Sequence, residues 1–326
     1  MKEIKIFFVD FWSDFKNDDN FIVSALKERY KIRIDLEKPD YLFYSSFGFR
    51  HFQYPDAVKI YFTGENDVPD FNLCDYGIGS ARLDFADRYF RLPLYVLYKG
   101  YDELFIHVEP RLSTSLQRKF CNFVYSNKQK ADPIQEEFFH RLSQYKKVDS
   151  GGKYLNNIGQ PVADKIDFIK DYKFTIAFEN SSLPGYTTEK LIDPMRVNSI
   201  PIYWGNPDVG EDFNTKSFVN VQDYQSMDEA IEAIIFLDNN DEAYREKLAQ
   251  PWIVNPETKD WQANLALFLK NIMEQPLPEV KRTTPYGFVH RYQEKQLISN
   301  IIYKNKLVRY FLKKIILLLY SKNKST

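Results

Sequence analysis

The segment from Lys173 to Gly205 constrains this chain more than any other. KFTIAF (173–178) reads as one strand and IPIYW (200–204) as a second. Between them lie a loop, Glu179–Tyr186, and a helix starting near Thr187. Thr187 and Thr188 offer an N-cap oxygen, and Glu189 in the first turn suits the helix dipole. Pro194 sits too deep for a first-turn proline, so the helix is expected to be short or kinked there. Strand, loop, helix and strand within about 30 residues form a βαβ unit. Such a unit puts its loop at the carboxyl edge of a parallel sheet, where ligands bind in these folds.

The rest of the chain repeats that grammar. Residues 3–9 read as a buried first strand and 20–30 as an amphipathic helix, with short strands at Tyr41–Tyr44 and Val58–Phe62. Phe120–Tyr125 reads as a strand and Pro133–Tyr145 as a helix with an acidic first turn. Strands alternating with helices imply an α/β protein with parallel sheets. A chain of 326 residues exceeds what one core usually serves, so two domains are expected. The pattern turns irregular from about 98 to 118, which places the boundaries at 1–115, 116–280 and a helical tail segment, 281–326.

Charge and composition exclude several roles. A net charge of -1 argues against nucleic acid, which demands a basic surplus. The aromatic fraction of 17% serves cores first and permits stacking on sugars. Cys74 and Cys121 are too few for a disulfide framework and read as buried, reduced thiols. The start, MKEIKIFFVDFWSDF, is broken by Asp10 and Asp14 and has the character of neither a signal peptide nor a membrane span. No acidic residue follows Glu294. On a helical wheel Ile301, Leu307, Val308, Phe311, Leu312, Ile315 and Leu319 gather opposite Lys306, Arg309 and Lys313. That amphipathic tail, 296–326, reads as a membrane-surface anchor; a helix packed on another domain or chain is the alternative.

The chemistry concentrates in the βαβ loop. The strand end presents Glu179 and Asn180, and the helix N-terminus is an anion site to which Lys190 adds a full charge. Glu189 can accept hydrogen bonds from sugar or ribose hydroxyls; a capped surface helix with a routine Glu–Lys pair is the alternative. No Asp-x-Asp triplet occurs, so a metal-clamped diphosphate has no ligands of the usual kind. Gly77-Ile78-Gly79 lacks the third glycine of a dinucleotide fingerprint. His51, His107, His140 and His290 are scattered, and Asn180-Ser181-Ser182 is a formal glycosylation sequon inside the candidate site.

Three short motifs, Phe178–Ser181 (FENS), Tyr186–Lys190 (YTTEK) and Pro201–Gly205 (PIYWG), together with Tyr61–Tyr95 and, more loosely, Phe120–Gly159, carry a resemblance. They resemble the signatures of the family-ten α-1,3-fucosyltransferases of bacterial type. The resemblance implies the GT-B arrangement: two Rossmann-like domains facing across a cleft, the first binding a glycan acceptor and the second GDP-fucose. It implies an inverting reaction, with no metal or other cofactor, whose base corresponds to Glu65 in Thr-Gly-Glu-Asn. On the donor side it carries over Asn180, Tyr186, Glu189 and Lys190. Lys190 would balance the diphosphate, and Glu189 would hold the ribose or stabilise charge on fucose. The usual acceptor is a surface glycan with an N-acetyllactosamine-like end, and the expected setting is cytoplasmic, peripheral at the inner face of the membrane. One departure stands out: Gln135 occupies the place of an arginine that relatives direct at the donor phosphates. Glutamine keeps a donor but loses the charge and the fork, for which Lys128, Lys130 or Lys153 could compensate. A transferase for another sugar nucleotide and a catalytically silent carbohydrate-binding relative are the competing readings.

Overall fold

The first sheet grows from β1 (Lys2–Val9), whose inner residues Phe7, Phe8 and Val9 are all buried. The computed structural model describes residues 1–105, 116–126, 131–254, 260–284 and 286–322. By their internal contacts the residues form two units, one of Met1–Ile78, Asp84–Phe90 and Gln262–Thr326, the other of Gly79–Leu83 and Arg91–Trp261.

In the first unit, helix α1 (Phe21–Leu26) is capped by Asn20, whose side chain accepts from the N–H groups of Ile22 and Val23. It ends at Leu26 and does not run to residue 30. Tyr30–Ile34 is a strand, β2, whose exposed and less exposed residues alternate and which pairs parallel to β1. Then come β3 (Tyr41–Tyr44), β4 (Val58–Phe62), β5 (Tyr76–Gly79) and β6 (Tyr89–Arg91), in the order β2-β1-β3-β4-β5-β6. The pairings from β2 to β5 are parallel. Strands β3 and β4 are buried along their whole length, as central strands covered on both faces must be.

The second unit holds β7 (Lys119–Phe123), α2 (Ile134–Tyr145), β8 (Val148–Ser150), α3 (Lys165–Ile169), β9 (Tyr172–Phe178), α4 (Glu189–Arg196), β10 (Ile200–Trp204) and β11 (Val219–Asn220). Helices α5 (Met227–Asn239) and α6 (Asp241–Leu248) follow. The sheet order is β11-β10-β9-β7-β8, all parallel. Counted in each unit's own chain order, both sheets run second, first, third, fourth, fifth, one of the doubly wound orders, with a sixth strand added at the edge of the first. Phe174, Ile176 and Phe178 of β9 share a core with Leu191, Ile192 and Met195 of α4 and with Ile200 and Ile202 of β10. The α/β class with two parallel sheets is as expected, and the βαβ unit lies where the sequence places it. Helix α4 is short, as expected: it runs past Pro194 and stops at Arg196, where Asn198 at φ +53 turns the chain away.

After α7 (Trp261–Met273) and α8 (Leu277–Val280) the chain stays with the first sheet. Lys2 Nζ donates to Met273 O at 2.5 Å and Tyr30 Oη to Glu274 Oε1 at 2.6 Å. Arg282 N and Thr283 N both reach Asp75 Oδ1 at 2.6 Å. These ties hold residues from 262 onward to the first unit; the other changes of unit fall at 78/79, 83/84 and 90/91, where the sequence pattern points to 115 and 280. The tail forms α9 (Gly287–Lys304) and α10 (Lys306–Lys322), separated by Asn305, whose Oδ1 accepts from Leu307 N and Val308 N. Ile298, Ile301, Leu307, Phe311 and Ile315 are exposed. Among the described residues no helix is long and apolar enough to cross a membrane. Cys74 and Cys121 are buried and free, and burial raises both thiols.

Candidate functional site

Pairing between β9 and β10 reaches one residue past Phe178, with Glu179 N donating to Trp204 O at 2.8 Å. The Glu179 side chain is thereby turned inward and is fully buried. Gly205 makes this possible: a Cβ there would lie 2.5 Å from Glu179 Cγ, closer than any real contact. The buried carboxylate accepts Thr188 N at 2.7 Å and Thr188 Oγ1 at 3.0 Å on Oε1. Its Oε2 accepts Thr188 Oγ1 at 2.8 Å and Lys190 Nζ at 3.2 Å. Burial raises the Glu179 carboxyl, and Lys190 pulls it back.

Thr188 caps α4, with Oγ1 accepting from Lys190 N at 3.4 Å and from Lys190 Nζ at 3.1 Å. Burial acts to lower the Lys190 ammonium, but Glu179 and Glu189 outweigh it and hold the lysine protonated, above its ordinary range. Glu189 Oε1 lies 3.8 Å from Lys190 Nζ. Burial acts to raise the Glu189 carboxyl; Lys190, Lys165 and the Tyr98 hydroxyl overcome it, so the group sits below the usual carboxylate range. One helix N-terminus therefore carries a fixed cation and a partly exposed anion side by side. That pairing suits a ligand with a charged phosphate and neighbouring hydroxyls.

The loop before the helix is rigid for reasons visible in its neighbours. Gly185 has φ +84, and a Cβ there would meet Ser80 O at 2.3 Å, so only glycine fits. Asn206 Oδ1 accepts Gly185 N at 2.7 Å while its Nδ2 donates to Thr187 Oγ1 at 3.1 Å. Tyr186 is buried, and Asn180 is half-buried with its carbonyl accepting Asp132 N at 2.9 Å. Tyr125 Oη accepts Phe178 N at 2.6 Å and donates to Phe178 O at 2.9 Å.

Gln135 lies differently from what an acidic first turn suggests. It is 1% exposed, and Nε2 donates to Glu179 O at 2.8 Å and to Phe178 O at 3.4 Å. Its Oε1 is buried with no hydrogen-bond partner among the described residues. The residue thus braces the strand end that carries Glu179. Of its suggested substitutes, Lys153 is exposed, while Lys128 and Lys130 lie outside the described residues, as does His107.

Glu65 belongs to the first unit, on the turn that leaves the carboxyl end of β4. It is half-buried, and its N–H donates to Thr63 Oγ1 at 3.1 Å. Close by in the same turn, Asp67 Oδ2 accepts the Tyr61 hydroxyl at 2.8 Å.

Asn180, Tyr186, Glu189, Lys190 and Gln135 are thus gathered around one loop, with Glu65 in the other unit. The parts played by Tyr98, Tyr125, Asn206 and Gly205 are not legible in the sequence. Glu179 stands in view there at the strand end, but its burial depends on a glycine from the neighbouring strand. Among the described residues no three His, Cys, Asp or Glu side chains gather as a cation site.

Comparison with known proteins finds a family along both units. Residues 6–98 match the α-(1,3)-fucosyltransferase FucT N-terminal domain, and residues 114–265 match the glycosyltransferase family 10 (fucosyltransferase) C-terminal region. The α-(1,3)-fucosyltransferase FucT of Helicobacter pylori is 37% identical over 287 residues, 75% of this chain. The chain spans 59% of the length of that relative. A crystal structure of α1,3-fucosyltransferase with GDP is 32% identical, with a TM-score of 0.72, covering 84% of this chain and 91% of that one. One with GDP-fucose is 31% identical, with the same TM-score of 0.72 and coverage of 84% and 92%.

Proposed function

This chain belongs to glycosyltransferase family 10, the fucosyltransferases, and from that premise we propose that it transfers L-fucose from GDP-fucose to an N-acetylglucosamine-containing glycan in α-1,3 linkage, with inversion. The observation that carries the reading is the N-terminus of α4, where Lys190 is held protonated beside Glu189. Lys190 would meet the diphosphate, and Glu189 the ribose or the positive charge developing on fucose. Glu65 would take the proton of the acceptor hydroxyl. That oxygen then bonds to the anomeric carbon as the carbon–oxygen bond to GDP breaks, with the electron pair leaving on the phosphate. The first unit would bind the acceptor and the second the donor. No metal is required by this scheme, because Lys190 and the helix N–H groups supply the positive charge.

GDP release in the presence of a glycan array tests this, with GDP-fucose compared against GDP-mannose and UDP-galactose. Release with a different nucleotide sugar would replace the donor. Glycan binding without any release would make the protein a silent carbohydrate binder.

The exposed apolar side chains of α9 and α10, set among lysines, support a second assignment: these helices rest on an anionic membrane surface, at the cytoplasmic face. The acceptor would then be a growing surface glycan. Removing residues 296–326 should release the protein from anionic vesicles while preserving transfer to a short soluble acceptor. Continued sedimentation of the truncated protein with vesicles overturns this.

A further inference from the structure

We propose that Glu179 is a positioning residue for the donor site: it holds the Lys190 ammonium at the helix N-terminus, and Gln135 holds Glu179 in turn through the backbone. Only the identity of the anion that Lys190 meets rests on the donor reading above.

A lysine side chain is a compact charge on a flexible stem, and left to itself at a helix end it samples many rotamers. Here its freedom is removed. Of the three donors on an ammonium, one is directed at Thr188 Oγ1 at 3.1 Å and one at Glu179 Oε2 at 3.2 Å, which among the described residues leaves a third for a ligand oxygen. Glu179 can serve as an anchor because it cannot move. Its Oε1 takes Thr188 N and Oγ1, and Gly205 leaves room for its stem. Its backbone carbonyl is gripped by Gln135 Nε2 at 2.8 Å. The sequence of contacts Gln135, Glu179, Thr188 and Lys190 runs from the helix after β7 to the N-terminus of the helix after β9, its neighbour in the sheet.

Two effects of Glu179 on an anionic ligand oppose each other, and this makes the proposal testable. As a charge, the carboxylate repels a diphosphate, so its removal should tighten binding. As an anchor, it places Lys190, so its removal should weaken binding. Both oxygens are committed to Thr188 and Lys190 and the side chain is fully buried, so the anchor effect should dominate.

The first measurement needs no nucleotide. Lysines of the full chain are modified with an amine-reactive reagent and read by peptide mass spectrometry. Lys190 should be protected in the wild type and modified roughly 10-fold faster in Glu179→Gln, the scale of one lost charge-assisted hydrogen bond. Equal protection overturns the proposal. The second is calorimetric GDP affinity. Glu179→Gln should weaken it roughly 10- to 100-fold, and Glu179→Asp, which keeps the charge but withdraws it by a methylene, should weaken it too. Tighter binding by Glu179→Gln would show that charge, not placement, is what Glu179 contributes. In a Lys190→Ala background Glu179→Gln should cause no further loss of GDP affinity, since only its repulsion of the diphosphate then remains; additive losses would mean that it acts elsewhere. Should the Glu179 variants not fold, Thr188 carries the same test: Thr188→Ser should retain protection of Lys190 and Thr188→Val should lose it, with equal protection in both overturning the proposal. A wild type that binds no GDP would break the donor reading, while the labelling comparison would still decide whether Glu179 holds Lys190.

Discussion

The two sheets share one strand order, yet their crevices between the first and third strands are used in opposite ways. In the first unit Asp10 follows β1 with φ +62, and its carboxylate accepts Arg50 N at 2.9 Å, His51 N at 3.0 Å and His51 Nδ1 at 2.8 Å, all from the segment after β3. Two backbone N–H groups that could have held a ligand anion are occupied by the chain's own carboxylate. In the second unit the buried carboxylate stands at the end of the third strand instead, as Glu179, and it faces a lysine that, among the described residues, keeps a donor to spare. The difference teaches that a doubly wound sheet supplies the place for a site and the side chains decide whether it stays available. In the first unit the candidate base, Glu65, accordingly stands one strand further along, after β4.

Four substitutions press on that contrast. Glu65→Gln should abolish nearly all transfer, a loss on the order of 10²- to 10⁴-fold for a general base, with GDP affinity near wild type. If more than about a tenth of the activity survives on that scale, the first unit supplies no base at this position. Lys190→Ala should weaken GDP binding and slow transfer together, by roughly 10- to 100-fold, because its charge meets the diphosphate before and during departure. Unchanged calorimetric affinity would remove the cation from the second crevice.

Gln135→Arg sharpens the comparison from the other side. An arginine fork matches the two carbonyls that Gln135 now holds and brings a charge toward the donor loop. Transfer should quicken by about 10-fold, short of the 10²-fold scale of a preorganised donor, because the side chain must also keep its grip on Glu179 O. Steady rates with a lower melting temperature would show that the position serves the strand end alone.

The smallest effect on catalysis belongs to Asp10→Asn. It should cost about 1–3 kcal/mol of stability, since a carboxamide turns a donor toward donors, and leave GDP affinity untouched. The pair also sets a pH dependence. Burial lowers His51, outweighing the pull of Asp10; burial acts to raise Asp10, but His51 and the N–H groups of Arg50 and His51 hold it low. Both groups therefore take up protons more readily in the unfolded chain, and stability falls with pH in two stages. The His51 part is complete above about pH 6.5 and declines below it; the Asp10 part is complete above about pH 4 and declines below that. Thermal melts from pH 8 to pH 3 should show both stages in the wild type, while Asp10→Asn should show a shallower second stage, the remainder coming from other carboxylates held low, such as Glu189 and Asp238. Equal slopes below about pH 4 would unseat Asp10 as a stabilising group.

What the sequence disclosed follows from how local each signal is. Strands β1, β3, β4, β9 and β10 announce themselves as short apolar runs, because a central parallel strand needs side chains buried on both faces. Strand β2 does not, since Tyr30–Ile34 directly follows a helical stretch and its alternation spans only five residues. The loop with Glu189 and Lys190 is legible from its cap and motif. Gln135 is not: Glu136 and Glu137 beside it suggest a wet turn, and only the fold reveals that its neighbour is the end of β9. The return of residues 262–326 to the first unit is likewise a matter of contacts such as Lys2 with Met273, which no local pattern encodes.

Gly205 gives this architecture an evolutionary and an engineering consequence. Because its missing side chain is the slot that receives Glu179, the end of one strand and the start of the next loop are two halves of one part. A lineage that drifts to alanine at 205 must lose or relocate the glutamate, whereas a lineage that loses the glutamate still has a glycine held by its φ of +155. For the same reason a graft of the Glu179–Lys190 loop into another scaffold transfers its chemistry only if a glycine on the adjoining strand travels with it.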